Sequence, residues 1–270
     1  MRAFALAAML MSAAIGSAAG QALPYHADPS AREAVPNLAA VPSIRFLTTA
    51  DFPPFNYRDA DGQLVGFNVD LARSLCDVLR VSCTIQAWPW EQAARALEDS
   101  QGDALIAGLA ITPENGALFD FSNIYLELPA RFVVRKEDVA AFTPGALDGQ
   151  PLAVRRGSAH EQFARRYLPK VTLTEFATEP EALAALEKGE VKAYLGDAMR
   201  ASFWLNEHPG CCSFAGGPYF RPDLFGDGFA VAVPAGHDAV RQAIDYGLIQ
   251  LKKSGALDEI YLRWFPVSFY

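Results

Sequence analysis

Asp51-Phe52-Pro53-Pro54-Phe55-Asn56-Tyr57 opens the stretch that decides the fold, and it continues through Gly66-Phe67-Asn68-Val69-Asp70-Leu71. It closes with Gly108-Leu109-Ala110-Ile111-Thr112-Pro113-Glu114 and then Phe119-Asp120-Phe121-Ser122. Strand and helix signals alternate around these motifs. Ser43 to Thr48 reads as a strand. Asn68 reads as the cap of a helix whose Leu71, Leu75 and Val78 share one face by i, i+4, i+7 spacing. Cys83 to Ala87 reads as a strand, and Pro89 suits the first turn of a helix running to about Glu98. Ala104-Leu105-Ile106-Ala107 is a short apolar run typical of a strand covered on both faces.

Downstream the pattern restarts. Pro151 to Arg155 reads as a strand, and Ser158 can cap a helix from Ala159 to about Tyr167. Val171 to Phe176 is a strand, followed by a helix around Pro180 to Lys188 that stops at Gly189. Val191 to Leu195 and Phe229 to Val233 are strands; Ala198 to Asn206, Asp238 to Ser254 and Leu257 to Trp264 are helices. Such alternation predicts an α/β fold with mostly parallel strands. The two halves share no residues in register, so they are two similar architectures in series.

The N-terminus reads as a secretory signal over residues 1–22. Arg2 supplies the charge, Phe4 to Ile15 the apolar run, and Ala19 or Ala22 the cleavage zone. A bilayer span needs about 20 apolar residues, more than this run offers. Residues 23–42, with Pro24, Pro29, Pro36 and Pro42, read as a linker. The roughly 230 residues that remain suit one large domain or two small lobes. A net charge of −8 without any basic run argues against nucleic acid as a partner. Hydrophobic residues make up 51% of the chain, enough for real cores. Cys76 and Cys83 flank a loop short enough to bring their Cα atoms within bridging distance. The adjacent Cys211 and Cys212 admit a vicinal disulfide, two free thiols or an intermolecular bond.

In order and spacing, the quoted motifs resemble the polar amino-acid-binding proteins that feed bacterial ABC importers, the family-3 extracellular solute-binding proteins. The resemblance runs to Trp264-Phe265. It implies a periplasmic-binding-protein-like fold with two Rossmann-like lobes, a two-crossing hinge and a ligand in the cleft. The first lobe would be discontinuous, 43–128 plus 229–270, with 129–228 as the second. The resemblance further implies a monomeric periplasmic protein that captures an amine, a zwitterion or an amino-acid-like solute and delivers it to an inner-membrane permease. Lysine/arginine/ornithine- and histidine-binding members carry a disulfide at the place of Cys76 and Cys83.

Site residues follow position by position. Phe52 and Trp90 occupy the places of the aromatic walls, each able to contribute about 0.5–2 kcal/mol over a cation. Asp197 stands where the family sets a carboxylate against the ligand ammonium, and a strand-end Asp also caps the helix that follows. Gly157-Ser158 opens a helix whose free N–H groups suit an anionic ligand group. Gly108 and Ala110 lie on the first lobe's ligand loop. The departure is there: amino-acid binders carry Ser or Thr at the place of Ala110, and at the place of Asn115 an Arg that clamps the α-carboxylate. Asn offers neither the charge nor the fork. Either the ligand has no α-carboxylate or another cation replaces the lost one, with Arg155 as the candidate. His26, His160, His208 and His237 lack metal-ligand spacing, and no nucleotide or hydrolase motif occurs, so no cofactor and no enzymatic activity are expected. The competing readings are an enzyme like the cyclohexadienyl dehydratases on the same fold, and a sensory binding protein.

Overall fold

In the chain order of a computed structural model, which describes residues 35–265 and 267–270, fourteen elements are read correctly in kind from the sequence but not all in extent. The signal segment lies outside the described residues, as does most of the linker. The first lobe comprises β1 (Ser43–Thr48), β2 (Asp51–Phe52), β3 (Asn56–Arg58), β4 (Leu64–Val65), α1 (Phe67–Leu79) and β5 (Ser82–Ala87). It continues through α2 (Trp90–Glu98), β6 (Ala104–Leu105), α3 (Pro113–Gly116) and β7 (Phe119–Phe121). The second comprises β8 (Ala130–Arg135), β9 (Pro151–Arg155), α4 (Ala159–Tyr167), β10 (Thr172–Phe176) and α5 (Glu179–Glu187). After it come β11 (Ala193–Asp197), α6 (Ala198–Glu207), β12 (Cys212–Tyr219) and α7 (Pro222–Phe225). The chain then returns through β13 (Ala232–Pro234) to α8 (Asp238–Ser254) and α9 (Ala256–Trp264).

Two five-stranded sheets carry the α/β fold, in the orders β5-β1-β6-β13-β7 and β10-β9-β11-β8-β12. In the first, β1 runs parallel to β5 and β6, while β13 pairs antiparallel with β6 and β7. In the second, β9 is parallel to β10 and β11, and β8 is antiparallel to β11 and β12. Leu126 and Phe229 form an antiparallel bridge where the chain leaves and re-enters the first sheet. Parallel strands demand apolar cover on both faces, which is why Phe46, Leu47, Ala104 and Leu105, and likewise Leu152, Ala153 and Val154, are all buried.

The sequence misplaces the start of α1. Gly66, not Asn68, precedes the helix, and Asn68 lies inside it. The N–H groups of Phe67 and Asn68 donate to the carbonyls of Pro54 and Phe55 at 2.9 and 2.8 Å, so no side-chain cap is needed. Asn68 is thereby free to enter a buried chain of hydrogen bonds. Its amide donates to Asn56 Oδ1 at 2.8 Å, its own Oδ1 accepts from Tyr125 Oη at 2.8 Å, and Asn56 donates to Thr49 Oγ1 at 2.7 Å. Pro89 precedes α2 instead of opening it. The strand read over Ala104 to Ala107 is confined to Ala104–Leu105.

Cys76 and Cys83 are bonded, with Cα atoms 6.0 Å apart across the turn from α1 to β5. Cys211 and Cys212 are joined as a vicinal pair at the start of β12. Closing so short a loop constrains the unfolded chain modestly, so Cys76→Ser with Cys83→Ser should cost about 2–3 kcal/mol. Peptide mapping of the non-reduced protein checks the link, and denaturant melts check the cost; free thiols at both positions would refute it.

Candidate functional site

The residues singled out by the sequence follow the carboxyl ends of parallel strands, where an open α/β sheet gathers its ligand contacts. On the first lobe β1 ends at Thr48, whose Oγ1 donates to the Ile106 carbonyl at 2.7 Å and ties the two neighbouring strand ends together. Phe52 leaves β2 into a cis Pro53-Pro54 bond. Its ring lies 4.8 Å from Phe55 and 6.1 Å from Phe229, yet 36% of the residue stays exposed. Gly108, at φ +77°, lets the backbone pass beneath it: a Cβ there would meet Phe52 Cε1 at 3.3 Å. A wall supported from behind and bare in front is the geometry a stacking surface needs.

Trp90 opens α2 and is 46% exposed. Among the described residues no ring contact joins it to Phe52. Trp88 packs on the cluster of Leu47, Ala93, Leu97 and Phe119. Asn115 and Ala110, the two altered positions, are bonded to each other: the Asn115 amide donates to the Ala110 carbonyl at 2.8 Å. This bond staples the loop at Ala110 to α3.

On the second lobe Ser158 caps α4, accepting from Glu161 N–H at 3.1 Å and donating to the Arg155 carbonyl at 2.6 Å. The Gly157 N–H donates to the Glu161 carboxylate at 2.7 Å. Asp197 ends β11 and caps α6, accepting from Arg200 N–H at 2.8 Å. Burial pushes its pKa upward; the Arg200 N–H bond opposes the rise and nearby Glu179 reinforces it.

Sequence reasoning missed Glu179, Arg200 and Tyr194, and set His160 aside for want of metal-ligand spacing. Glu179, buried at the first turn of α5, lies between two guanidiniums, 3.6 Å from Arg155 and 3.4 Å from Arg200. The Tyr194 hydroxyl lies under Gly196, where a Cβ would meet it at 1.8 Å, and it has no partner among the described residues. Burial and the charges of Glu179 and Asp197 push its pKa up. His160 stacks on Phe225 at 4.9 Å, and burial with the nearby cations Arg155 and Arg200 lowers its pKa to about 4, so it is neutral at pH 7. The capping box at Thr178 and Glu181 fully accounts for the sequence around Glu179, and Arg200 reads as an ordinary surface residue of α6. Neither had a sequence signal of its own.

A cavity of about 440 Å³ opens between the lobes. Phe52, Pro53 and Pro54 line it from the first lobe, and Glu179, Leu183, Met199, Arg200, Phe203 and Trp204 from the second. Two α/β lobes facing each other across such a cleft suit capture of a small solute.

The model of the bacterial extracellular solute-binding proteins, family 3, matches residues 44–267. The chain belongs to this family. Among relatives of this solute-binding protein, the putative ABC transporter arginine-binding protein 2 of Escherichia coli K12 is 30% identical over 226 residues, covering 84% of this chain and 92% of its own. The L-cystine solute receptor of Neisseria gonorrhoeae, in its unliganded open conformation, superposes with a TM-score of 0.73 at 21% identity, covering 83% of this chain and 92% of its own. An ancestral cyclohexadienyl dehydratase superposes with a TM-score of 0.72 at 26% identity, over 87% and 99% of the two chains. The solute-binding protein is thus a substrate-binding component of the ABC-importer type, with the two-lobed α/β fold expected of it.

Proposed function

We propose that this protein works in the periplasm, capturing a small amino-acid-like or amine solute by lobe closure and handing it to a membrane permease. The moving bodies in this reading are residues 43–128 with 229–270, and residues 129–228. One observation carries the reading: the Asp197 carboxyl sits at a strand end where burial disfavours its charge. A ligand ammonium supplies the missing counter-charge, with Phe52 and Trp90 as the apolar walls and Gly108, Ala110, Asn115, Arg155 and Ser158 around it. The arginine named for the E. coli relative shares that ammonium.

The test is a thermal-shift screen of amino acids, amines, betaines and opines on refolded protein. A ligand at 100 times its Kd adds about 2.7 kcal/mol and shifts the melt visibly. Small-angle scattering with a saturating hit should then give a smaller radius of gyration. A radius unchanged from the ligand-free sample would remove closure from the reading. The ancestral dehydratase neighbour keeps an enzymatic alternative in view. Incubation with prephenate should yield no phenylpyruvate; its formation would establish that alternative.

A further inference from the structure

The acid group of a zwitterionic ligand has several conceivable partners in the cleft, and most are already engaged. On the first lobe the Asn115 amide is bonded to the Ala110 carbonyl. At the start of α4, Gly157 N–H is taken by the Glu161 carboxylate at 2.7 Å, and that carboxylate is itself held by Arg165 at 2.7 Å. Ser158 N–H donates to the Arg155 carbonyl at 3.3 Å. An incoming anion would have to displace a carboxylate that is already charge-paired. Arg155 pairs with Glu179 at 3.6 Å and, like Asp197 and Trp90, borders the interlobe cavity without being among its lining residues, so its guanidinium lies outside the pocket that would take the ligand's arm.

Arg200 is also paired with Glu179, at 3.4 Å, and differs from Arg155 in its position. It lines the cavity, with Phe52, Pro53 and Pro54 on the opposite wall. Among the described residues its guanidinium makes one hydrogen bond, to Glu179 at 3.4 Å. A tight charge-assisted pair is closer to about 2.7–2.9 Å. A guanidinium carries five donors in a planar fork, so Arg200 is held in place by Glu179 without being saturated by it.

Charge balance points the same way. Arg155 and Arg200 contribute two positive charges to this wall, and Glu179 and ionised Asp197 two negative ones. Closing the lobes on a pure amine leaves one positive charge uncompensated in a dewatered cleft, which is costly. A zwitterion adds none. The remainder of the cavity is apolar, with Leu183, Met199, Phe203 and Trp204 beside Arg200.

We propose that Arg200 is the carboxylate-binding residue of this protein, and that the ligand is a zwitterion whose apolar arm lies against Leu183, Met199, Phe203 and Trp204. The carboxylate clamp has in effect moved from the first lobe to the second. Glu179 is a positioning residue that aims the guanidinium. The inference rests on the reading of Asp197 as the ammonium partner.

Matched pairs that differ only in the carboxylate test it: L-tryptophan with tryptamine and L-phenylalanine with phenethylamine, plus L-alanine for the arm. Calorimetry on the refolded full chain should show each acid at least tenfold tighter than its amine, and tryptophan at least tenfold tighter than alanine. Arg200→Met should erase the acid preference by weakening the acids at least tenfold and leaving the amines unchanged or tighter. Arg200→Lys, which keeps the charge and loses the fork, should fall between. Arg156→Met, an exposed arginine of the same lobe paired with Glu175 and outside the cavity, should keep the preference. The inference is overturned if amines bind as well as acids, if the acid preference survives Arg200→Met, or if alanine matches tryptophan. Should Asp197→Asn still weaken the probes in such a case, the ammonium site stands and only the Arg200 assignment falls. If none of the probes binds, both the assignment and the aromatic zwitterion class are refuted.

Discussion

Gly66→Ala is expected to cost more than about 4 kcal/mol of folding stability, in the range reserved for severe backbone or core damage. Gly66 has φ +135°, a conformation that side-chain-bearing residues rarely adopt. A Cβ would stand 2.2 Å from the Phe55 carbonyl oxygen, 2.4 Å from its carbon and 2.8 Å from Asn56 N. All three are backbone atoms, so no rotamer change relieves the clash. The loop that must move is the one whose Pro54 and Phe55 carbonyls receive the first N–H groups of α1 and whose Phe52 forms a cleft wall. For a protein of this size such a loss lowers Tm by about 8–16 °C. Gly62→Ala is the control. It also has positive φ, +77°, but nothing lies within 4 Å of a Cβ there, so only backbone strain of about 1–3 kcal/mol is expected. Equal melting temperatures for the two variants would show that the close approach at Gly66 does not constrain the fold.

Gly66 also shows where reading a sequence reaches its limit. The central parallel strands were legible where burial on both faces writes an apolar run, as in β6 and β9. Ser158 was legible as a cap because the cap bond to Glu161 is local. The cap assigned to Asn68 failed because its donors are met by carbonyls of a distant turn. Strand β8 went unread for a similar reason. Its Arg131 is buried, which the sequence argues against, and two of its guanidinium nitrogens donate to the Phe269 and Gly216 carbonyls, 138 and 85 residues away. Strand β12 is broken in pattern by Gly216-Gly217-Pro218, and its pairing shifts between Ala215 and Tyr219. The site divides along the same line. Phe52 and Asp197 were singled out by the family resemblance, and both sit at strand ends. Glu179 and Arg200 face the cleft only because α5 and α6 start side by side, a tertiary fact with no local trace.

Asp197→Asn is expected to weaken ligand binding at least tenfold while leaving the empty protein as stable as wild type, or more so, at neutral pH. Asn is as good a helix cap as Asp, so the bond from Arg200 N–H survives. What changes is the charge. Burial is the main cause of the raised carboxyl pKa, opposed by the Arg200 N–H and reinforced by Glu179. Well below the usual 3.8, folded and unfolded chains both carry the proton and nothing is lost. As pH rises past that value the unfolded chain ionises first, so the empty protein loses stability until pH has passed the folded pKa. The variant has no such proton, and its stability should lack this component. A ligand ammonium reverses the preference, because it favours the ionised carboxyl. Wild-type affinity should therefore fall as pH drops into the acid range, and the variant's should not. Leaving the ammonium unpaired in a closed cleft costs about 2–5 kcal/mol, which is tenfold or more in Kd. Calorimetry at pH 7 and pH 5, with melts of the empty protein across the same interval, separates the two effects. Affinity within twofold of wild type at pH 7, or an acid-dependent loss that persists in the variant, would remove Asp197 from the site. A variant with weaker binding and an unimpaired melt would locate the cost of Asp197 in the empty cleft and its benefit in the filled one.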